Sequence, residues 1–139
     1  MKPETPFLTV DGVVEQYSAN GKFLGIILIE RKFEPKGLAL PGGFVDIGES
    51  LETAVAREVK EETNLDVYEI KLLNAYSDPD RDARFHTVSV VYVCKANGDL
   101  QAGDDAKDAQ LYKAGEIPYD KLVFDHRDII EDYISQHHK

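Results

Sequence analysis

Basic residues are in short supply in this sequence: 16 Lys and Arg stand against 26 Asp and Glu, a formal charge of −10. So acidic a surface repels phosphate backbones and anionic lipid headgroups, which makes nucleic acid and membranes poor partners. An anionic small molecule would have to be met by a bound cation or a local arginine cluster. Cysteine is scarcer still. The lone Cys94 sits in the apolar run Thr87 to Cys94, so no intramolecular disulfide forms, and it reads as a core thiol in a reducing compartment. No stretch reaches bilayer length, and Met1-Lys2-Pro3-Glu4-Thr5-Pro6 lacks the basic and apolar regions of a signal peptide, so a cytoplasmic location is expected. The P-loop, G-x-G-x-x-G, G-x-S-x-G and H-E-x-x-H patterns are all missing. Asp78-x-Asp80-x-Asp82 imitates the start of an EF-hand loop, but Ala83 and Ser89 stand where that loop needs glycine and glutamate.

What is present is one domain's worth of chain, 139 residues with 42% hydrophobic and 30% charged content, enough for a single core. Phe7 to Tyr17 and Lys22 to Lys32 are β-rich runs around Ser18-Ala19-Asn20-Gly21, and an Asn-Gly step between such runs predicts a hairpin. The stretch Phe23 to Ile29 is apolar nearly throughout, as in a strand covered on both faces by helices. Pro35 to Gly48 breaks every periodic pattern and predicts a long structured loop. Ser50 is suited to cap a helix running to about Thr63, with Asn64 as its left-handed stop. Val67 to Tyr76, Phe85 to Cys94 and a short Ala109 to Tyr112 follow as strands, and Asp125 opens an amphipathic helix carrying Ile129, Ile130, Tyr133 and Ile134 inward. The expected class is α/β or α+β with one mixed sheet.

The residues that need explaining are Glu58, Glu61 and Glu62. At roughly 100° per residue, Glu58 and Glu62 project along the apolar stripe of their helix with Leu51, while Lys60 points away. Like charges at these spacings each cost about 0.2 to 0.5 kcal/mol, and acids near a helix C-terminus oppose its dipole by about 0.3 to 1 kcal/mol. Arg57 offsets only part of this, and a divalent cation would satisfy the rest. Oxygen-only ligands select hard ions, so Mg²⁺ is favoured, and Mn²⁺ also fits.

The spelling around these acids is Gly43, five residues, Glu49, seven residues, then Arg57-Glu58-Val59-Lys60-Glu61-Glu62-Thr63-Asn64-Leu65. It resembles the signature of the Nudix hydrolases, G-x5-E-x7-R-E-U-x-E-E-x-G-U with U apolar. At roughly 6 to 7% usage per residue type, its six fixed positions from Gly43 to Glu62 coincide by chance with a probability of about 10⁻⁷ per register. Asn64 departs from the pattern where the family has glycine, and Asn is the next-best residue for a left-handed stop.

The resemblance implies a Nudix α/β/α sandwich with a mixed β-sheet between helices, spanning residues 1–139 as a single domain. It implies Glu58 and Glu62 as principal metal ligands, Glu61 as a further ligand or water-orienting carboxylate, and the Gly42 carbonyl as a backbone ligand. Arg57 would orient the glutamates, with Glu49 as its partner, and Gly43 would let the loop lie close. A further carboxylate, general base or extra ligand, is expected between Asp99 and Asp108, with Asp105 and Asp108 the candidates. The segment Ser77 to Val90 resembles that of small prokaryotic ADP-ribose pyrophosphatases, although Ala83 and Phe85 depart from the expected R-D-P-R-G-H-like run. Arg81 and Arg84 suit bidentate contacts to a diphosphate, or pairing with Asp80 and Asp82. His86 is a substrate contact or a structural histidine, and Phe85 an adenine-stacking ring or a core residue. Phe124-Asp125-His126 resembles the segment opening the last helix of the same branch. The implied reaction is metal-dependent hydrolysis of ADP-ribose to AMP and ribose 5-phosphate. The alternatives are a house-cleaning nucleoside triphosphate pyrophosphatase and a non-catalytic nucleotide sensor. A small nucleoside diphosphate derivative is the expected partner, and a homodimer is suggested by the resemblance alone.

Overall fold

The Asn-Gly turn joins β1 (Phe7–Tyr17) to β2 (Phe23–Arg31) in a computed structural model that describes residues 2–103 and 106–137. The two strands pair only near the turn, from Glu15 opposite Ile26 to Tyr17 opposite Phe23. On its other edge β1 runs parallel to β6 (Thr87–Asn97), in register from Phe7 with Thr87 to Gln16 with Ala96. The mixed sheet has the order β3 (Leu38–Ala39), β2, β1, β6, β5 (Asp66–Tyr76), with β4 (Gly42–Phe44) on β1 and β7 (Ala106–Tyr112) on β2. β3 and β4 lie inside the stretch read as a loop, too short for any periodicity to show.

The continuous apolar run of β2 has the reason expected of it. Ile27 packs with Val10, Val14 and the buried face of α1 (Leu51–Thr63) on one side of the sheet. Ile26 and Leu28 pack with Val13 and with Ile129, Ile130 and Tyr133 of α2 (His126–His137) on the other. Val55 and Val59 are fully buried, each worth roughly 1.5 to 3 kcal/mol of hydrophobic stabilisation. Gly12 lets α1 come this near: a Cβ there would sit 3.3 Å from Val59 and 3.4 Å from Val55.

Both ends of α1 are where the sequence puts them. The Ser50 hydroxyl accepts from the Thr53 N–H, and Asn64 adopts φ 66° while its N–H donates to the Lys60 carbonyl. The asparagine therefore supplies the left-handed stop of the motif's glycine. Asp125 stands just before α2 as expected, its carbonyl accepting from the Ile129 N–H at 3.2 Å, and its carboxylate goes to Arg81. Among the described residues no helix is long and apolar enough to cross a membrane.

Candidate active site

The last turns of α1 face the β3–β4 segment across a cavity of about 290 Å³. Glu58, Glu62, Gly42 and Gly43 line it. Glu62 is 5% exposed, and its Oε1 accepts from the Gly42 N–H at 2.8 Å, so loop and helix are locked together through a carboxylate. Gly43 lies flat on Glu58, where a Cβ would come within 2.6 Å of the carboxyl carbon. Only glycine permits that approach. The two acids on the apolar stripe thus point into the molecule, as their helical phase requires, while Glu61 stays exposed.

Arg57 ties the acids together. Its Nε and Nη2 donate to the two oxygens of Glu49 at 2.6 and 2.8 Å, and its Nη1 to Glu58 at 2.8 Å and Glu61 at 3.3 Å. Nη2 also reaches the Phe44 carbonyl at 3.1 Å. The bidentate bond from Arg57 holds the Glu49 carboxyl down to about 2, and its bond to Glu49 is the largest cause raising the Arg57 pKa. Glu49 also accepts from the Asp46 N–H, which closes the loop onto the helix.

The floor of the cavity holds a second group of polar side chains. Asp11 on β1 accepts a bond from Ser89 of β6, and burial, partly offset by that bond and by Arg81, pushes its carboxyl up to about 7. His126 accepts from the Leu40 N–H through Nδ1 at 2.9 Å, which places its proton on Nε2, 3.7 Å from Asp11. Burial, reinforced by Arg81 and Arg31, holds His126 down to about 3, so the ring is neutral. Arg81 is buried, with Nε and Nη2 on the Asp125 carboxylate at 3.0 and 2.6 Å and Nη1 on Thr87 at 2.7 Å. The sequence reading missed Asp11, although a lone acid inside the apolar run Val10 to Val14 is a legible signal. Arg31, which lines the cavity, was missed as well, whereas Phe124 and His126, which also line it, belong to the segment singled out by resemblance.

The other expected residues are distributed unevenly. Arg84 lines the cavity, but its Nε and Nη2 bond both oxygens of Asp82 at 3.0 and 2.8 Å. Its guanidinium lies over the rings of Phe85, at 4.9 Å, and Phe124, at 5.4 Å. Phe85 is exposed and packs with Phe7 and Phe44 beside the opening rather than in the core. His86 bonds the Ser77 carbonyl across its own loop at 3.0 Å and does not line the cavity. Asp108 sits on β7 opposite Glu30, its carboxylate bonded to Gln110 and the Ala109 N–H, and faces a separate groove. Asp108 does not line the cavity that holds Glu58 and Glu62. Asp105 lies outside the described residues. The segment leading to it docks beside Glu62, with the Gln101 and Gly103 N–H groups on the Thr63 and Glu62 carbonyls at 2.9 Å.

Among the described residues no three His, Cys, Asp or Glu side chains converge as a ready-made metal cluster. Glu61 turns to Arg57 rather than inward. The donor chemistry nevertheless suits a hard divalent ion: Glu58 and Glu62 offer carboxylate oxygens to the cavity, and the one histidine there has its Nδ1 engaged by Leu40.

A mixed sheet between two helices, with a glycine loop laid on a glutamate helix, defines the class. The NUDIX domain matches residues 7–133, and the chain belongs to the Nudix family of hydrolases. It is 48% identical over 132 residues to an ADP-ribose pyrophosphatase of Methanocaldococcus jannaschii, covering 93% of this chain and 73% of that protein. Solved structures share its fold, two of them with nucleotides bound. The NUDIX domain of Shewanella oneidensis NrtR, complexed with ADP-ribose, superposes with a TM-score of 0.81 at 28% identity, covering 96% of this chain and 89% of that one. A bifunctional NMN adenylyltransferase/ADP-ribose pyrophosphatase from Francisella tularensis, complexed with AMP and manganese, also gives 0.81 at 28% identity. This chain is covered to 98% and spans 43% of that longer protein. Hydrolases of the family depend on a divalent metal ion, consistent with the manganese in the Francisella structure.

Proposed function

We propose that the protein hydrolyses ADP-ribose to AMP and ribose 5-phosphate, with Mg²⁺ as the working ion and Mn²⁺ as a substitute. The observation that carries this reading is the pair of inward carboxylates, Glu58 and Glu62, in one cavity with Arg31, Arg81 and Arg84, supported by the 48% identity to a named ADP-ribose pyrophosphatase. Glu58, Glu62 and the Gly42 carbonyl would hold the metal, with Glu61 joining from the rim. When bound, such an ion neutralises diphosphate oxygens and lowers the pKa of attacking water. Water adds to one phosphorus, the bridging P–O bond breaks, and the departing phosphate keeps the electron pair. Arg57 contributes by holding Glu58 and Glu61 at fixed spacing against their mutual repulsion. His126 and Asp11 fix the floor: the neutral imidazole anchors Leu40, two residues before Gly42. The Phe7, Phe44 and Phe85 rings beside the opening offer a stacking surface for the adenine. A cytoplasmic location suits the single buried cysteine, and a homodimer is suggested by the family resemblance alone.

Phosphorus NMR of the products decides the reading. ADP-ribose, NADH, ATP and an oxidised deoxynucleoside triphosphate are incubated separately with protein and Mg²⁺. AMP and ribose 5-phosphate from ADP-ribose are expected. Pyrophosphate released from a triphosphate instead would reassign the substrate, and metal-independent binding of ADP-ribose without turnover would make the protein a sensor.

A further inference from the structure

The five arginines of this chain divide sharply. Arg57, Arg81, Arg84 and Arg127 each pair with at least one carboxylate, at distances from 2.6 to 2.8 Å for the shortest contact of each. Arg31 is the exception among the described residues: no carboxylate lies within ion-pair distance of it. It closes β2 at the cavity wall, half-buried, with Nε donating to the Pro35 carbonyl at 2.8 Å and Nη2 to the Glu34 carbonyl at 3.4 Å. Those neutral acceptors hold the guanidinium without cancelling its charge. Its face packs on the Phe124 ring at 5.1 Å, and Arg84 lies over the same ring at 5.4 Å. Phe124 has φ 56°, an uncommon conformation for an aromatic residue, and its ring is in reach of both cations. Burial and the nearby Arg84 press the Arg31 pKa downward, while Glu62, Asp82 and Asp11 act on it in the opposite sense without contacting it.

In a chain of charge −10, leaving a half-buried arginine without a carboxylate is costly unless an anion completes it. Arg81 and Arg84, the two arginines the sequence offered for that purpose, have their forks filled from within the protein. We propose that Arg31 is the side chain that receives the substrate's diphosphate, across the cavity from Glu58 and Glu62, and that Phe124 fixes the direction in which its guanidinium points. This rests on the proposed diphosphate hydrolysis and names the residue that recognises the anion. The diphosphate would then be gripped from two sides, by the carboxylate-held ion on α1 and by the planar cation at the end of β2. Arg84 contributes charge to the wall and its bonds to Asp82.

The test is the split between KM and kcat for ADP-ribose in Mg²⁺, together with Mn²⁺ binding alone followed by electron paramagnetic resonance. Arg31→Gln is expected to raise KM about tenfold or more while kcat changes by less than about threefold, because a charge-assisted contact made equally in ground and transition states is lost. Arg31→Lys keeps the charge without the fork and is expected to raise KM about threefold. Arg84→Gln should raise KM less than Arg31→Gln does, and Mn²⁺ affinity should be unchanged in all three. An Arg31→Gln KM within twofold of wild type, or a weakened Mn²⁺ site, overturns the assignment. Should the glutamine variant not fold, Phe124→Leu carries the test, with a KM increase of about threefold to fivefold expected and an unchanged KM decisive against it. If the wild-type protein cleaves a triphosphate rather than ADP-ribose, the function proposed above fails while the same KM comparison on that triphosphate still judges Arg31.

Discussion

Arg81 lines the cavity and Arg57 bonds Glu58, which lines it too; both arginines bind carboxylates, yet they do opposite things with them. Arg57 is shared among Glu49, Glu58 and Glu61, with Asp46 also 3.6 Å away, so the α1 corner keeps a negative excess. Arg81 meets Asp125 one to one, Arg84 meets Asp82 one to one, and the His126 imidazole is neutral. The first corner is left unbalanced and asks for an outside cation. The second is balanced and holds α2 to the loop before β6. Clustered charge thus marks chemistry only where the ledger does not close within the protein.

The sharpest break of that contrast removes one member of the unbalanced corner. Glu62→Gln is expected to reduce turnover by about 10²- to 10³-fold with little change in the urea midpoint, since the amide keeps the Gly42 contact but loses the charge. A loss smaller than tenfold in the product assay would remove Glu62 from the reaction. On the balanced side the larger effect should fall on stability. Arg81→Met leaves Asp125 partly buried without its partner, and a cost of about 2 to 3 kcal/mol is expected from urea unfolding, below a fully buried pair because Asp125 is 17% exposed. Stability unchanged by that substitution would show that the pair is not structural.

Acid should separate the corners next. Glu49 has its carboxyl lowered from 4.5 to about 2, chiefly by Arg57. The folded state therefore binds that proton less readily than the unfolded chain. The stabilisation is complete above 4.5 and is lost as pH falls through about 2. The urea midpoint of wild type should fall over this range, and that of Glu49→Gln should fall less. Parallel curves would contradict the linkage. The smallest effect is expected of Asp108→Asn, within about twofold of wild-type kcat/KM, because the residue lies on the far side of β2 from the reacting centre. A tenfold loss there would require a role that its position does not provide.

What the sequence made readable was local. Ser50, Arg57, Glu58, Glu62 and Asn64 lie within one helix and its caps, so a single periodicity fixes their directions, and the structure places each accordingly. Charge partners were not readable at long range. Asp125 lies 44 positions from Arg81, and the Asp80 and Asp82 alternatives nearer in sequence were the natural guesses, of which Asp82 went to Arg84. Asp11 and Ser89 meet across 78 positions, through a parallel strand pairing that no hairpin signal announces. Arg31 gives no local sign at all, since being without a carboxylate is a property of the finished fold. Asp108 was a candidate only through the family resemblance, and β7 sets it opposite Glu30 of β2, on a groove separate from the glutamates.

The parallel pairing of β1 with β6 also sets an order of events during synthesis. A chain leaving the ribosome has β1, the glycine loop and the whole of α1 in hand long before β6, whose Tyr92, Cys94 and Ala96 complete the surface beneath that helix. Until those residues emerge, α1 has only part of its bed, and the carboxylates at its end have no settled cavity to face. The glutamates are made early and positioned late, so the nascent chain carries its glutamate signature for some while before the strand that completes its bed has been made.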